Sequence, residues 1–258
     1  MKLKSEIIRL QEFLMNSWPA KHYFFLNGWI LRFTDGVTFR ANSVFPIRYT
    51  GTQETLNYDI KLVEYAYNRH KLEPVFTMPE FYEPSNLKEI LLQQGYYSFD
   101  HTIALSINVE EIQRVDIMND FTYCILDSRT EEIAEFLAAF SKRDENEQKI
   151  IQKINQRIII PKKCYMIAKD REKVIATLLA VLVPQGYLYI GDVFVHPDYR
   201  RQGIATSMLV NLISRWGIDN SVKYIWLQVE RKNNKALNLY YKLGMKQIYN
   251  YFYMKRDR

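Results

Sequence analysis

The chain has 258 residues, 48% of them hydrophobic and 25% charged, with a formal net charge of +6 and a pI near 9.1. That is the balance of a soluble globular protein, long enough for two small domains or one with a sizeable core. No apolar run reaches bilayer length, the two cysteines form no metal spacing, and the dispersed basic residues form no nucleic-acid stripe; only Lys255-Arg256-Asp257-Arg258 clusters.

The first residues, MKLKSEIIRLQEFLMNSW, read as an amphipathic helix rather than a signal peptide. Strand-like runs at 29–33 and 37–41 flank Asp35-Gly36 and predict a hairpin. A helix over 56–67, a short strand at 74–77, a helix over 87–92 halted at Gly95, and a long strand at 97–107 follow. A soft boundary lies around 109–121 and divides the chain into 1–115 and 119–258.

Beyond it, 121–126 reads as a strand, and Ser128-Arg129-Thr130-Glu131 has capping-box spacing for a helix to Phe140. The stretch 144–158 begins acidic and ends basic, as a helix dipole prefers. Strands at 164–169 and 174–183 precede Tyr187–Val195, which is apolar, β-branched and aromatic. Cys164 falls in the first of these and reads as a buried, reduced thiol, in keeping with a cytoplasmic protein. A helix then carries Ile204, Met208, Leu209, Leu212, Ile213 and Trp216 to Gly217; a strand at 224–229, a helix at 234–243 stopped by Gly244, and a strand at 245–254 complete the order. The first half repeats the end of that order in degenerate form. Leu-Gln-Gln-Gly-Tyr at 92–96 stands where Tyr-Lys-Leu-Gly-Met stands at 241–245, while Arg48-Tyr49-Thr50-Gly51 is a faint copy of Arg200–Ala205 without a second phosphate site.

The run Arg200-Arg201-Gln202-Gly203-Ile204-Ala205, between a strand and a helix N-terminus, is an anion site by its physics. Free backbone amides and the helix dipole favour a phosphate, and Gly203 lets it approach. Together with Val193-Phe194-Val195-His196-Pro197 and Asn233-x-x-Ala236-x-x-Leu239-Tyr240-x-x-x-Gly244-Met245, this run makes residues 119–254 resemble the GNAT N-acetyltransferase superfamily. Met245 departs from the phenylalanine common after that glycine.

The resemblance implies an α/β (α+β) fold: a mixed twisted sheet flanked by helices, in tandem with a degenerate N-terminal copy lacking a cofactor site. It implies acetyl-coenzyme A as cosubstrate, no metal, and transfer of the acetyl group to a primary amine by direct attack. Val193, Phe194 and Val195 would meet the pantetheine arm. Arg200, Arg201, Gln202, Gly203, Ile204, Ala205 and Thr206 would hold the pyrophosphate, and Asn233 would touch the cofactor arm or cap its helix. A glycine at 191 suits a bulge that frees backbone groups on that strand. Tyr240 matches the family's general acid.

The base is open. Gln228 stands where some relatives carry a glutamate, leaving Asp192 first and Glu230 second; His196 reads as a surface histidine. The acceptor is a small-molecule or peptide amine, with neither nucleic acid nor membrane implied, and homodimerisation is left open. The rival reading is a noncatalytic acyl-coenzyme A binder.

Overall fold

A computed structural model describes residues 2–112 and 120–257. The boundary positions 115 and 119, the linker residues Gln113 and Arg114, and Arg258 of the terminal basic cluster lie outside the described residues. The chain forms two compact units: Met1–Ile103 with Glu230–Lys232 and Ile248–Arg258, and Ala104–Val229 with Asn233–Gln247.

In the first unit, helix α1 (Lys2–Ser17) buries Ile7, Leu10 and Leu14 along one face. Strands β1 (His22–Leu26) and β2 (Trp29–Phe33) form an antiparallel hairpin, with Leu26 opposite Trp29. Its turn is Asn27-Gly28, both left-handed at φ 45° and 84°, which suits the twist of the two strands. The hairpin expected around Asp35-Gly36 is not formed. Those residues do turn the chain, at φ 39° and 77°, but Phe39–Ala41 is a 3-10 turn. The Asn42 Oδ1 accepts the amides of Thr34 and Gly36, so the protons a returning strand would need are taken. Strand β3 (Val44–Phe45), helix α2 (Leu56–Arg69) and strand β4 (Phe76–Pro79) make a parallel crossover, Val44 pairing with Phe76. Helix α3 (Leu87–Gln93) and strand β5 (Tyr97–Asn108) follow. Trp29, Leu31, Val63, Tyr67, Phe76 and Leu91 are among the side chains of this unit's core.

The second unit begins with strand β6 (Thr122–Leu126) and helices α4 (Glu131–Phe140) and α5 (Glu145–Gln156). Thr130, not Ser128, caps α4, its hydroxyl accepting from the Ile133 amide; Asp144 and Glu147 form a reciprocal capping box on α5. Strands β7 (Lys163–Asp170), β8 (Lys173–Val183) and β9 (Tyr187–Val195) extend β6 as an antiparallel meander whose inner members are almost wholly buried. Helix α6 (Ile204–Leu212), ending in a π turn at Ile213–Gly217, crosses to strand β10 (Tyr224–Glu230), parallel to β9. Helix α7 (Asn234–Lys242) and strand β11 (Lys246–Lys255) end the order.

The units divide the chain differently from the ranges 1–115 and 119–258. Residues 248–255 of β11 belong to the first unit, where they pair antiparallel with β4, Phe252 opposite Met78. Residues 104–108 of β5 belong to the second, where the Ser106 hydroxyl donates to the Ile225 carbonyl and the Val109 amide to the Lys223 carbonyl. Strand order is therefore β1-β2-β3-β4-β11-β5 in the first unit and β5-β10-β9-β8-β7-β6 in the second.

Candidate active site

The site grows out of β9. Against β8, Phe194 faces Thr177 and Gly191 faces Leu179, so two residues of β9, Asp192 and Val193, stand opposite Leu178 alone. This is a β-bulge, and Asp192 takes its left-handed conformation at φ 51°. The bulge thus falls one residue beyond Gly191. Gly191 has a separate reason to be glycine: a Cβ there would come within 2.7 Å of the Tyr189 ring, which lies over it.

On its other side, β9 pairs with β10 only from Tyr187–Tyr224 to Ile190–Leu227. Both strands continue, to Val195 and Glu230, but among the described residues no further pairs form between them and the two strands part. Asp192 to Val195 are half-buried along the opening. Near its closed end lie Tyr189 and Trp226, their rings 5.1 Å apart, and Trp226 Nε1 is buried without a hydrogen-bond partner. Tyr240, on α7, is 7% exposed; burial, with a smaller contribution from Tyr189, pushes its phenol up to about 12.

After β9, His196 is 5% exposed, packed by the rings of Phe140, Phe136 and Tyr199, and its Nδ1 accepts from the Asp198 amide. The surface position expected for it is wrong: aromatic side chains from α4 close over it. Arg200 turns back, its Nε donating to the Val195 carbonyl at 3.1 Å and its guanidinium lying over Phe194. Arg201 and Gly203 are both left-handed, at φ 65° and 76°. Among the described residues, the amides of Arg201, Gln202, Gly203, Ile204, Ala205 and Thr206 have no backbone acceptor, and the first return bond runs from Ser207 to Gly203. Donors without a backbone acceptor at a helix N-terminus, beside two exposed arginines, suit a pyrophosphate. The parted strands beside them suit an amide-bearing arm, so these residues fit acetyl-coenzyme A.

Asn233 caps α7, its Oδ1 accepting from the Ala236 amide at 3.2 Å, and it stays exposed. Asp192 is ion-paired with Arg143 at 2.7 Å, its side chain 10% exposed. Glu230 is exposed and paired with Lys232. The structure therefore joins the bulge, the basic turn, Tyr240 and Asp192 in one unit, and makes Asn233 a cap. The sequence reading missed Arg129, Arg143 and Tyr165, which gather around Asp192, and Gln148, which is bonded to Arg129; no spacing marks them. The Tyr189-x-Gly191 alternation was a readable signal for the covered glycine. Among the described residues no His, Cys, Asp or Glu cluster could hold a metal, and no helix is long and apolar enough to cross a membrane.

Comparison with known proteins agrees with this geometry. Residues 125–245 match the model of the acetyltransferase (GNAT) family, and residues 4–112 match one described as the C-terminal region of the probable histone acetyltransferase Rv0428c. The chain is 26% identical over 253 residues to the uncharacterized N-acetyltransferase YobR of Bacillus subtilis, covering 96% of this chain and 98% of that one. Among solved structures, a GCN5-related N-acetyltransferase from Kribbella flavida superposes with a TM-score of 0.71 at 12% identity, over 97% of this chain and 95% of the other. A tandem GNAT protein from the clavulanic acid biosynthesis pathway gives 0.56 at 11% identity, over 76% and 67%.

Proposed function

We propose that this chain, whose residues 125–245 match the GNAT acetyltransferase family, moves an acetyl group from acetyl-coenzyme A to a primary amine, with Tyr240 as general acid. The observation that carries the reading is the conjunction of unpaired amides from Arg201 to Thr206 with strands that part beyond Ile190 and Leu227.

Acetyl-coenzyme A, when bound, supplies an activated thioester. The amides of 201–206 hold its pyrophosphate end, and half-buried Val193, Phe194 and Val195 line the arm's path. Backbone donors at the bulge offer hydrogen bonds to the negative charge that develops on the acyl oxygen; such preorganised donors are worth roughly 3–4 kcal/mol in a transition state. Tyr240 keeps its proton through the physiological range, because burial raises its pKa, and so stands ready to donate to the departing sulfur.

Asp192 is a weak candidate for a base acting alone, since its carboxylate is already engaged by Arg143 at 2.7 Å. Its role is to fix the bulge and Arg143; the amine attacks in its neutral form, its surplus proton given up to solvent. Orientation then carries much of the rate, on the order of 7–11 kcal/mol for well-held partners.

The test is thiol release over a panel of amines with wild type and Tyr240→Phe. The variant should lose roughly 100- to 1,000-fold in kcat while the acetyl-coenzyme A KM stays within about threefold. A wild type that binds acetyl-coenzyme A and acetylates nothing would make the chain a binder. An unimpaired Tyr240→Phe would remove the acid role.

A further inference from the structure

One side chain of the second unit, that of Arg129, has no part in the acetyl transfer described so far. Arg129, between β6 and α4, donates from Nη2 to Gln148 Oε1 at 2.8 Å, while its Nε and Nη1 are buried and make no hydrogen bond. Gln148 is itself fixed, its Nε2 donating to the Ser141 hydroxyl at 2.7 Å. A guanidinium with two of three nitrogens shut away from water and unsatisfied is costly, and native proteins rarely leave such donors idle.

The surroundings say what would satisfy them. Burial lowers the Arg129 pKa, opposed by Asp192 and Tyr165 and reinforced by Arg143, so Arg129 feels all three of these groups. The one carboxylate among them, Asp192, is already committed to Arg143 at 2.7 Å. Two guanidiniums against one carboxylate leave a net of one positive charge beside the bulged strand.

Tyr165 fixes the face of the sheet. It pairs with Leu179, which pairs with Gly191, so Tyr165 projects on the face that carries Tyr189 and Phe194. Helix α4 packs on that same face through Phe136 against Phe194, 5.7 Å between rings. The idle donors therefore stand on the face of the sheet where the opened strand presents its side chains.

We propose that the acceptor amine also carries a carboxylate, as an amino acid or a peptide-like amine does, and that Arg129 binds this carboxylate through Nε–H and Nη1–H. The inference rests on the acetyl-transfer reading and narrows its substrate. Charge-assisted hydrogen bonds from a partly desolvated guanidinium are the strong kind, and a polyamine would add positive charge to a site that already has a surplus.

The test uses the full chain, with thiol release and isothermal titration of glycine, phenylalanine and glutamate, the α-carboxamides of glycine and phenylalanine, and spermidine. At least one acid should bind and turn over roughly 10- to 100-fold better than its carboxamide. The carboxamide's amine is less basic and more often neutral, which biases the comparison against the proposal. Arg129→Gln should erase the preference by raising the acid's Kd and KM, leaving the carboxamide and acetyl-coenzyme A constants in place; Arg129→Lys should restore part of it.

Carboxamides or spermidine matching the acids would overturn the inference, as would a preference that survives Arg129→Gln. The wild-type comparison decides even where a variant does not fold. Spermidine acetylated while the acids stay idle defeats this inference and leaves the enzyme reading intact. Acids that bind in preference but are never acetylated defeat the enzyme reading and leave Arg129 as a carboxylate site.

Discussion

Each unit contains a strand, a glycine-bearing turn, a helix and a parallel strand, and the two turns have been put to opposite use. In the second unit, β9 leads through Arg201 and Gly203 to α6 with its first amides open. In the first, β3 leads through Gly51 to α2, and Tyr49 folds over the glycine, so that a Cβ there would lie 2.5 Å from the phenol oxygen. The Tyr49 hydroxyl donates to Asp59 Oδ2 at 2.6 Å, and Asn27 donates to the same oxygen at 2.9 Å. Asp59 lies in the first turn of α2 and is 2% exposed. A helix N-terminus attracts negative charge, and here the chain supplies its own carboxylate. On the acetyl-transfer reading proposed above, the same crossover is a binding site or a sealed joint according to whether the anion comes from outside or from within.

The largest effect should come from separating the sequence halves. A 119–258 fragment lacks residues 104–108 of β5, including buried Ala104, Leu105 and Ile107, and strips β11 of its partner β4. Raw edges on β10 and β11 follow, which is an aggregation hazard. The fragment should be insoluble or oligomeric by size-exclusion chromatography. A monomeric fragment with full acetyl-coenzyme A affinity would show that the second unit needs no strand from the other half.

That exchange of strands marks the limit of what the sequence displays. Most elements were legible, because apolar periodicity, caps and C-terminal glycines are local: α6, α7 with its Asn233 cap, and β9 all stand within a few residues of their predicted bounds. The Gly203 turn ahead of α6 was legible for the same reason. The pairing of β11 with β4 joins residues some 170 positions apart, and no local pattern encodes which edge a terminal strand will choose. The hairpin error has a finer cause. Two Asx-Gly dipeptides compete, Asn27-Gly28 and Asp35-Gly36, and the side chain of Asn42 decides between them by taking the amides beyond Phe33. The Asp192–Arg143 pair, 49 residues apart, and idle Arg129 depend on three-dimensional neighbours, so spacing could not find them.

The comparison of the two turns is sharpened by a pair of substitutions. Gly203→Val places a β-branched side chain at φ 76° in the open turn, where it strains the backbone and crowds the amides. The acetyl-coenzyme A KM should rise roughly tenfold or more, with a modest loss of stability. Asp59→Ala acts on the sealed turn, leaving Tyr49 and Asn27 without their acceptor. It should cost roughly 1–3 kcal/mol in denaturant unfolding and leave acetyl-coenzyme A kinetics unchanged. If Asp59→Ala changed coenzyme A affinity as much as Gly203→Val did, the two turns would not be functionally distinct.

The smallest effect is alkaline, and it reads the tightness of the tyrosine packing in each unit. Burial raises the phenols of Tyr67 and Tyr96 in the first unit and of Tyr165 and Tyr240 in the second. A folded-state pKa above the unfolded value near 10 means that the native phenol keeps its proton longer than the unfolded one. Its contribution is whole below pH 10, and it is lost as pH rises, because only the unfolded chain then gives up a proton. For Tyr240, with about 12 in the folded state, the loss is roughly 1.4 kcal/mol at pH 11. Denaturant unfolding at pH 9, 10 and 11 should therefore show Tyr240→Phe losing stability less steeply than wild type above pH 10, by about that amount at pH 11. Tyr67→Phe should flatten the same limb through the first unit, since Tyr67 is fully buried and donates to the Arg32 carbonyl at 3.0 Å. Should Tyr240→Phe leave the alkaline slope unaltered while Tyr67→Phe changes it, the Tyr240 ring is open to water in solution while that of Tyr67 is sealed.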